Sequence, residues 1–181
     1  MTADEALERL LEGNQRFTNG APEAPRRDGR RRAEQAESQT PFAVVLGCAD
    51  SRVPPEILFD QGIGDLFVVR VAGNIAVDEV TLGSIEFGVA ILGCPLLLVL
   101  GHEKCGAVRA AVDAAADGEP GGGHLGALVD AVLPAVTGDD VDAAVRANVR
   151  RQVALLKETF PQAEIAGARY ALESGHVELV R

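Results

Sequence analysis

Three nearly unbroken apolar runs stand out along the chain, at residues 41–48, 65–71 and 95–101. Runs of this length without polar alternation predict strands of a parallel sheet covered on both faces. Between the second and third, Val80, Ile85, Val89 and Leu92 recur at helical spacing over residues 77–92, despite Gly83 and Gly88. The three segments therefore read as a β-α-β unit with a right-handed crossover.

On either side the pattern is helical. Leu7, Leu10, Leu11 and Asn14 share one face of a predicted helix over residues 3–17, with Gly13 a weak point. Residues 19–37, rich in Pro, Gly and Arg, predict a loop with a short exposed helix. Helices are expected at 105–117, 124–136 and 139–160, with a flexible turn at Gly118–Gly123 and a stop at Pro161. Residues 164–171 and 176–180 read as strands flanking a turn at Glu173-Ser174-Gly175. The expectation is one α/β domain over residues 1–181. It has a mainly parallel central sheet covered by helices, an N-terminal helical arm (1–38) and a core (39–181) that ends in a strand pair.

Composition narrows the function. A chain of 181 residues can bury a full core without staples, and an apolar fraction of 47% argues against disorder. The formal net charge of -10 argues against a nucleic-acid partner. Arg26, Arg27, Arg30, Arg31 and Arg32 form a local basic run, read as a solvated face or as partners of internal carboxylates. Residues 1–17 lack the unbroken apolar core of a secretory signal. The longest apolar stretch, residues 90–100, contains Gly93 and Pro95 and is too short to cross a bilayer. A soluble, cytoplasmic protein with no membrane partner is expected. In that setting three cysteines suggest metal or packing roles before disulfides.

The chemistry concentrates at two strand ends. Cys48 ends one apolar run and His102 follows another, and in open parallel sheets sites form where loops converge beyond the carboxyl ends of strands. His102-x-x-Cys105 turns into a helix, where the dipole and free N–H groups favour a thiolate at Cys105. Cys48, His102 and Cys105 make a Cys2His set, three ligands with an open fourth position, which is the pattern of a catalytic zinc site. Asp50 could reach that position, or Arg52 could hold it in a bidentate pair. Zinc would then bring the ionisation of a water to near neutral pH. Cys94 reads as packing, and His124 and His176 as exposed loop residues. Gly62-Ile63-Gly64 and Gly121-Gly122-Gly123 lack the ending of a phosphate loop and read as turns.

The segments Cys48-Ala49-Asp50-Ser51-Arg52-Val53-Pro54-Pro55-Glu56, Gly64–Arg70, Ala72-Gly73-Asn74 and Gly101–Val108 together resemble the β-class carbonic anhydrases. The resemblance extends over nearly the whole chain, from Gly13-Asn14-Gln15-Arg16-Phe17 to Gly167–Gly175. It implies a lyase that hydrates carbon dioxide reversibly to bicarbonate and a proton through zinc-bound hydroxide, with one zinc per chain on Cys48, His102 and Cys105. Asp50 and Arg52 match the dyad that orients the hydroxide or releases Asp50 onto the metal. Gln39, Phe67, Ala72 and Phe87 match positions of the substrate pocket, and Gly106 would let substrate approach closely. The resemblance also implies a homodimer or higher homo-oligomer, with the arm gripping the neighbour and the site at the subunit boundary.

Two departures stand out. Glu103 replaces the Ser that many members carry, adding negative charge with an expected effect on proton transfer. Val45 stands where a bicarbonate-inhibited subgroup carries Trp, which places the chain with the subgroup whose zinc is open at neutral pH. Competing readings keep the site but change its use. Carbonyl sulfide or carbon disulfide could be the substrate, or the metal could stabilise a binding protein without turnover. A redox cysteine pair is weaker, because Cys48 and Cys105 lack Cys-x-x-Cys spacing.

Overall fold

Two strands without an exposed residue, β1 (Ala43–Gly47) and β3 (Leu96–His102), form the centre of the computed structural model, which describes residues 1–118 and 122–181. Around them β2 (Leu66–Arg70), β4 (Glu164–Tyr170) and β5 (Val177–Leu179) complete a five-stranded sheet in the order β2-β1-β3-β4-β5. All pairings are parallel except β4 with β5.

Alternation along the central strands divides the core. Ala43, Val45, Leu96, Leu98 and Leu100 pack on one face with Ala6 and Leu10 of α1 (Ala3–Thr18), and with Val108, Ala111 and Val112 of α5 (Gly106–Asp117). Val129 and Val132 of α6 (Gly123–Val132) join the same cluster. Val44, Leu46, Leu97 and Val99 face the other way, against Ile85 of α4 (Glu79–Glu86) and Val149 and Leu156 of α7 (Val141–Thr159). The short helices α2 (Gly29–Glu34) and α3 (Pro55–Leu58) lie in the connections before and after β1. No helix among the described residues is long and apolar enough to cross a membrane.

The predicted helix over 77–92 is interrupted. α4 gives way to a π-turn over Phe87–Ile91, and a Cβ on Gly88 would lie 2.5 Å from Val44 Cγ2. The wide turn and the missing side chain together let the helix end rest on the sheet. A second difference concerns β2, expected to be buried on both faces. Every residue of β2 is partly or fully exposed, because the strand order leaves it at an open edge. Of the expected turn at Gly118–Gly123, residues 119–121 lie outside the described residues. Gly121 of the Gly121-Gly122-Gly123 turn is among them, whereas Gly122 and Gly123 lead into α6.

The helix set apart as an arm is docked on its own chain. Thr2 and Glu5 close a capping box at its start, and Ala6 and Leu10 are fully buried. Gly13 is the close-approach point, since a Cβ there would meet the Phe59 carbonyl oxygen at 1.8 Å. Asn14 donates to the carbonyls of Leu58 (3.1 Å) and Gly175 (2.8 Å) and accepts from the Val177 N–H at 2.9 Å. Two buried carboxylates collect Arg26, Arg27 and Arg31 of the basic run, together with Arg9 and Arg16 of α1. Arg26 pairs with Asp65 at 2.7 Å, with Arg9 at 3.3 Å and Arg31 at 3.8 Å from the same group. Arg16 pairs with Asp60 at 2.7 Å, and Arg27 stands 3.9 Å away.

Burial pushes the Asp60 carboxyl up, but Arg16 and the N–H groups of Glu23 and Ala24 outweigh it and hold the group below its ordinary value. The stabilisation is therefore complete above the unfolded value of about 4 and is lost as pH falls through the lower folded value. Asp60→Asn should cost about 3 kcal/mol at pH 7 by leaving Arg16 unpaired, and the difference should shrink in urea titrations at pH 3. Gly13→Ala should destabilise by about 1–3 kcal/mol through overpacking, although propensity alone favours Ala by ~1 kcal/mol. Urea unfolding at constant m-value measures it.

Candidate metal centre

Parallel pairing of β1 with β3 sets Gly47 beside Leu100, so the residues leaving the two strands emerge side by side. Cys48 is the first residue past β1, His102 the last of β3, and Cys105 caps α5. All three are buried, and their ligand atoms lie within 4.8 Å of one another. The two sulfurs are 4.0 Å apart. Thiolates held tetrahedrally at about 2.3 Å stand about 3.8 Å from each other, so the spacing suits a zinc-sized ion.

The imidazole is oriented to complete the set. His102 Nδ1 lies 2.9 Å from the Glu103 carbonyl, which can only accept, so Nδ1 carries the proton and Nε2 the lone pair. That Nε2 is buried and has no hydrogen-bond partner. A buried nitrogen without a partner, facing two buried sulfurs, is the signature of a ligand cluster for a soft metal.

Charge is distributed unevenly across the cluster. The Cys105 thiol beside it pulls the Cys48 pKa down, against its burial, to about 4, helped by His102 and by N–H groups of Asp50 and Gly73 at 3.4 Å. Cys105 moves the other way, pushed up by the neighbouring Cys48 sulfur and by burial. The sequence had suggested the opposite, a thiolate favoured at the start of α5. The N–H groups of Ala107 and Val108 do act in that direction, but the sulfur 4.0 Å away outweighs them. Asp50 is held well below the usual carboxylate range by the Arg52 guanidinium, which bonds both its oxygens, at 2.9 and 2.6 Å. Its Oδ2 stands 3.8 Å from His102 Nε2.

Residues 43–177 match the family model described as Carbonic anhydrase. The chain belongs to the carbonic anhydrase family. It is 51% identical over 131 residues to carbonic anhydrase 2 of Mycobacterium tuberculosis, covering 72% of this chain and 63% of that protein. It is 35% identical over 165 residues to a carbonic anhydrase of Pseudomonas aeruginosa, covering 79% of this chain and 74% of that one. The chain thus spans a little under two thirds of the length of its mycobacterial relative. Among solved structures, a Coccomyxa β-carbonic anhydrase in complex with acetazolamide aligns with a TM-score of 0.73 at 27% identity, over 96% of this chain and 86% of that one. The β-carbonic anhydrase CcaA aligns with a TM-score of 0.71 at 26% identity, with the same coverage. These likenesses place the chain in the β class.

Within this family member, Asp50, Arg52, Ala72 and Gly106 lie in the segments that converge at the end of the sheet carrying Cys48, His102 and Cys105. Ala72 sits in the turn after β2. Gly106 opens α5, and a Cβ there would meet nothing within 4 Å. The remaining pocket positions lie elsewhere. Gln39 is exposed in the coil ahead of β1, at the opposite end of that strand from Cys48. Phe67 pairs in register with Val44, about 13 Å along the strand from Cys48, and packs with Val44 and Leu46 on the α4 face. Phe87, 45% exposed, stacks on Phe67 with ring centroids 6.0 Å apart. One chain does not bring Gln39, Phe67 and Phe87 to its own Cys48.

Arg70 is a positioning group that pattern reading missed. From the end of β2 it donates to the carbonyls of Cys48 (2.8 Å) and Asp50 (2.5 Å), bracing the loop that carries both side chains. Its signal was present, a lone cation ending an apolar strand whose neighbour in register is Gly47. Asn148 and Gln152 of α7 act at one remove, holding the Gly73 carbonyl (2.8 Å) and the Ala76 N–H (3.0 Å) of the adjoining loop.

With metal removed, the absorbance at 240 nm at pH 7 should report one thiolate among the three cysteines. Cys94→Ser, whose burial pushes its thiol up to about 11, should leave that signal unchanged, whereas Cys48→Ser should alter it by removing one member of the Cys48–Cys105 pair.

Proposed function

We propose that this chain hydrates carbon dioxide reversibly to bicarbonate and a proton, with one zinc ion held by Cys48, His102 and Cys105. The observation that carries the reading is the unpartnered His102 Nε2 facing both sulfurs, with the Arg52-bound Asp50 carboxylate beside it. Zinc there would supply Lewis acidity, bringing the ionisation of a water into the neutral range and so providing a nucleophile for carbon.

The chain's own residues have distinct tasks. Asp50, ionised and gripped on both oxygens by Arg52, can only accept hydrogen bonds. It would accept a hydrogen bond from the O–H of the attacking oxygen, which keeps its proton, and so turn a lone pair of that oxygen toward the substrate carbon. Its commitment to Arg52 keeps it from filling the fourth ligand position, which supports an open site. Arg70 keeps the Cys48–Asp50 backbone from shifting as charge moves to the product oxygens. Ala72 and the open space over Gly106 give a small apolar molecule room to approach. The proton released on hydration passes to solvent or buffer.

The site is read as complete only in a homodimer. β2 is an open edge, flanked by half-buried Phe67 and Val69 and by exposed Phe87, Val80 and Ile91. A long apolar edge of this kind is a surface for another chain. A second copy seated there would cover the edge and bring its Gln39, Phe67 and Phe87 toward this chain's Cys48 and His102.

Stopped-flow proton release decides the activity: acceleration with zinc and none after chelation is expected, and a folded, zinc-loaded sample without acceleration ends the reading. Asp50→Asn should lower kcat/KM by about 10²-fold while zinc content holds. In sedimentation velocity the parent should run as a dimer or larger, and Phe87→Arg should run as a monomer that retains zinc.

A further inference from the structure

We infer that Glu103 is a positioning residue for His102 and acts through the reach of its side chain, not through its charge. The inference rests on reading Cys48, His102 and Cys105 as zinc ligands.

The imidazole takes its orientation from one contact, the Nδ1–H donated to the Glu103 carbonyl at 2.9 Å. Whatever holds that peptide therefore aims Nε2. Glu103 is tied to the exit of β4 twice. Its N–H donates to the Tyr170 carbonyl at 2.8 Å, and its Oε2 accepts the Leu172 N–H at 2.9 Å. The two bonds grip the residue from its backbone and from its side chain, across adjacent turns of the same segment. The following residue, Lys104, sits at a φ of 53°, a left-handed conformation uncommon for a side chain with a Cβ. A peptide beside such a residue needs external support, because relaxing Lys104 would swing the carbonyl that Nδ1 uses.

The support is itself grounded. The turn that contains Leu172 closes through the Ala171 N–H on the His176 carbonyl and the Gly175 N–H on the Ala171 carbonyl, both at 2.9 Å. Asn14 of α1 then clamps that turn at Gly175 and Val177. A continuous path of hydrogen bonds runs from the buried face of α1 to the ligand imidazole, and the Glu103 side chain is a link in it. Because its carboxylate is used on a backbone N–H, Glu103 is not directed into the cluster. That role differs from the expectation that the residue acts on proton transfer through its charge.

Reach and charge are separable by substitution. Glu103→Gln keeps an acceptor oxygen at the same distance without charge, whereas Glu103→Asp keeps the charge on a side chain one methylene too short. Zinc-loaded full-length protein is mixed with a chromogenic chelator, and the visible ligand-field bands of the cobalt-substituted protein are recorded alongside. Glu103→Asp and Glu103→Ala should release zinc about tenfold faster with displaced cobalt bands, while Glu103→Gln keeps the parent's rate and spectrum. Amide exchange at Leu172 should accelerate in Glu103→Asp and not in Glu103→Gln. The reverse order, with Gln fast and Asp like the parent, overturns the inference in favour of charge, and equal rates in all variants overturn it outright. If Glu103→Ala does not fold, the Asp and Gln pair still decides. A parent protein that takes up no zinc overturns the metal reading itself, before any variant is compared.

Discussion

The in-register parallel pairing of β1 with β3 is the constraint on which the site depends. Cys48 and His102 are far apart in sequence, and nothing local would hold them together. Register does, because a strand ladder fixes relative position along its whole length. Gly47 beside Leu100 leaves only one geometry for the residues that follow. A slip of β1 by one residue would turn Val45 away from α1 and α5 and set Val44 or Leu46 in its place. The apolar burial of both strands thus guards the spacing of three polar atoms at their ends. Stability and ligand geometry are one property here, and the site inherits the rigidity of the most deeply buried part of the chain.

A second layer of organisation is electrostatic. Asp60 and Asp65 are almost wholly buried, and each is reached by more than one arginine from the N-terminal third. Burial alone would disfavour both charges. Of their partners, Arg9 and Arg16 come from the docked helix α1, while Arg26, Arg27 and Arg31 come from the segment after it, which has no comparable apolar anchor. The loop after α1 and the short α2 have few apolar side chains to bury. Charge takes the place of a hydrophobic anchor, which explains how an Arg-rich, Pro-rich stretch has a defined path in a chain that is acidic overall.

Much of this was legible from pattern. The apolar runs marked the strands, the helical periodicities marked α1, α5 and α7, and strand-end placement marked Cys48, His102 and Cys105 as neighbours. The exposure of β2 was not legible, because an apolar run looks the same at an edge as at the centre; strand order alone separates them. The π-turn at Phe87 escaped because helical spacing continues through it, and only Gly88 hinted at a close approach. The direction of the thiol shifts escaped for a different reason. A helix N-terminus is visible in sequence, but the distance from one sulfur to another is not. The contact of Glu103 was hidden in the same way, since its type announced a charge while its hydrogen-bond partner, the Leu172 N–H, lies across the fold.

The open edge of β2 has a thermodynamic consequence. Its outer backbone groups and half-covered side chains meet water in an isolated chain, so a second copy covering that edge, as proposed above, would add to the free energy of folding. Whatever covers it binds the folded form and not the unfolded one, and stabilises by mass action. Melting temperature should then be a function of protein concentration, and dilution would act as a mild denaturant. Substitutions along β2 would register less in the fold of one chain than in the concentration at which that fold persists.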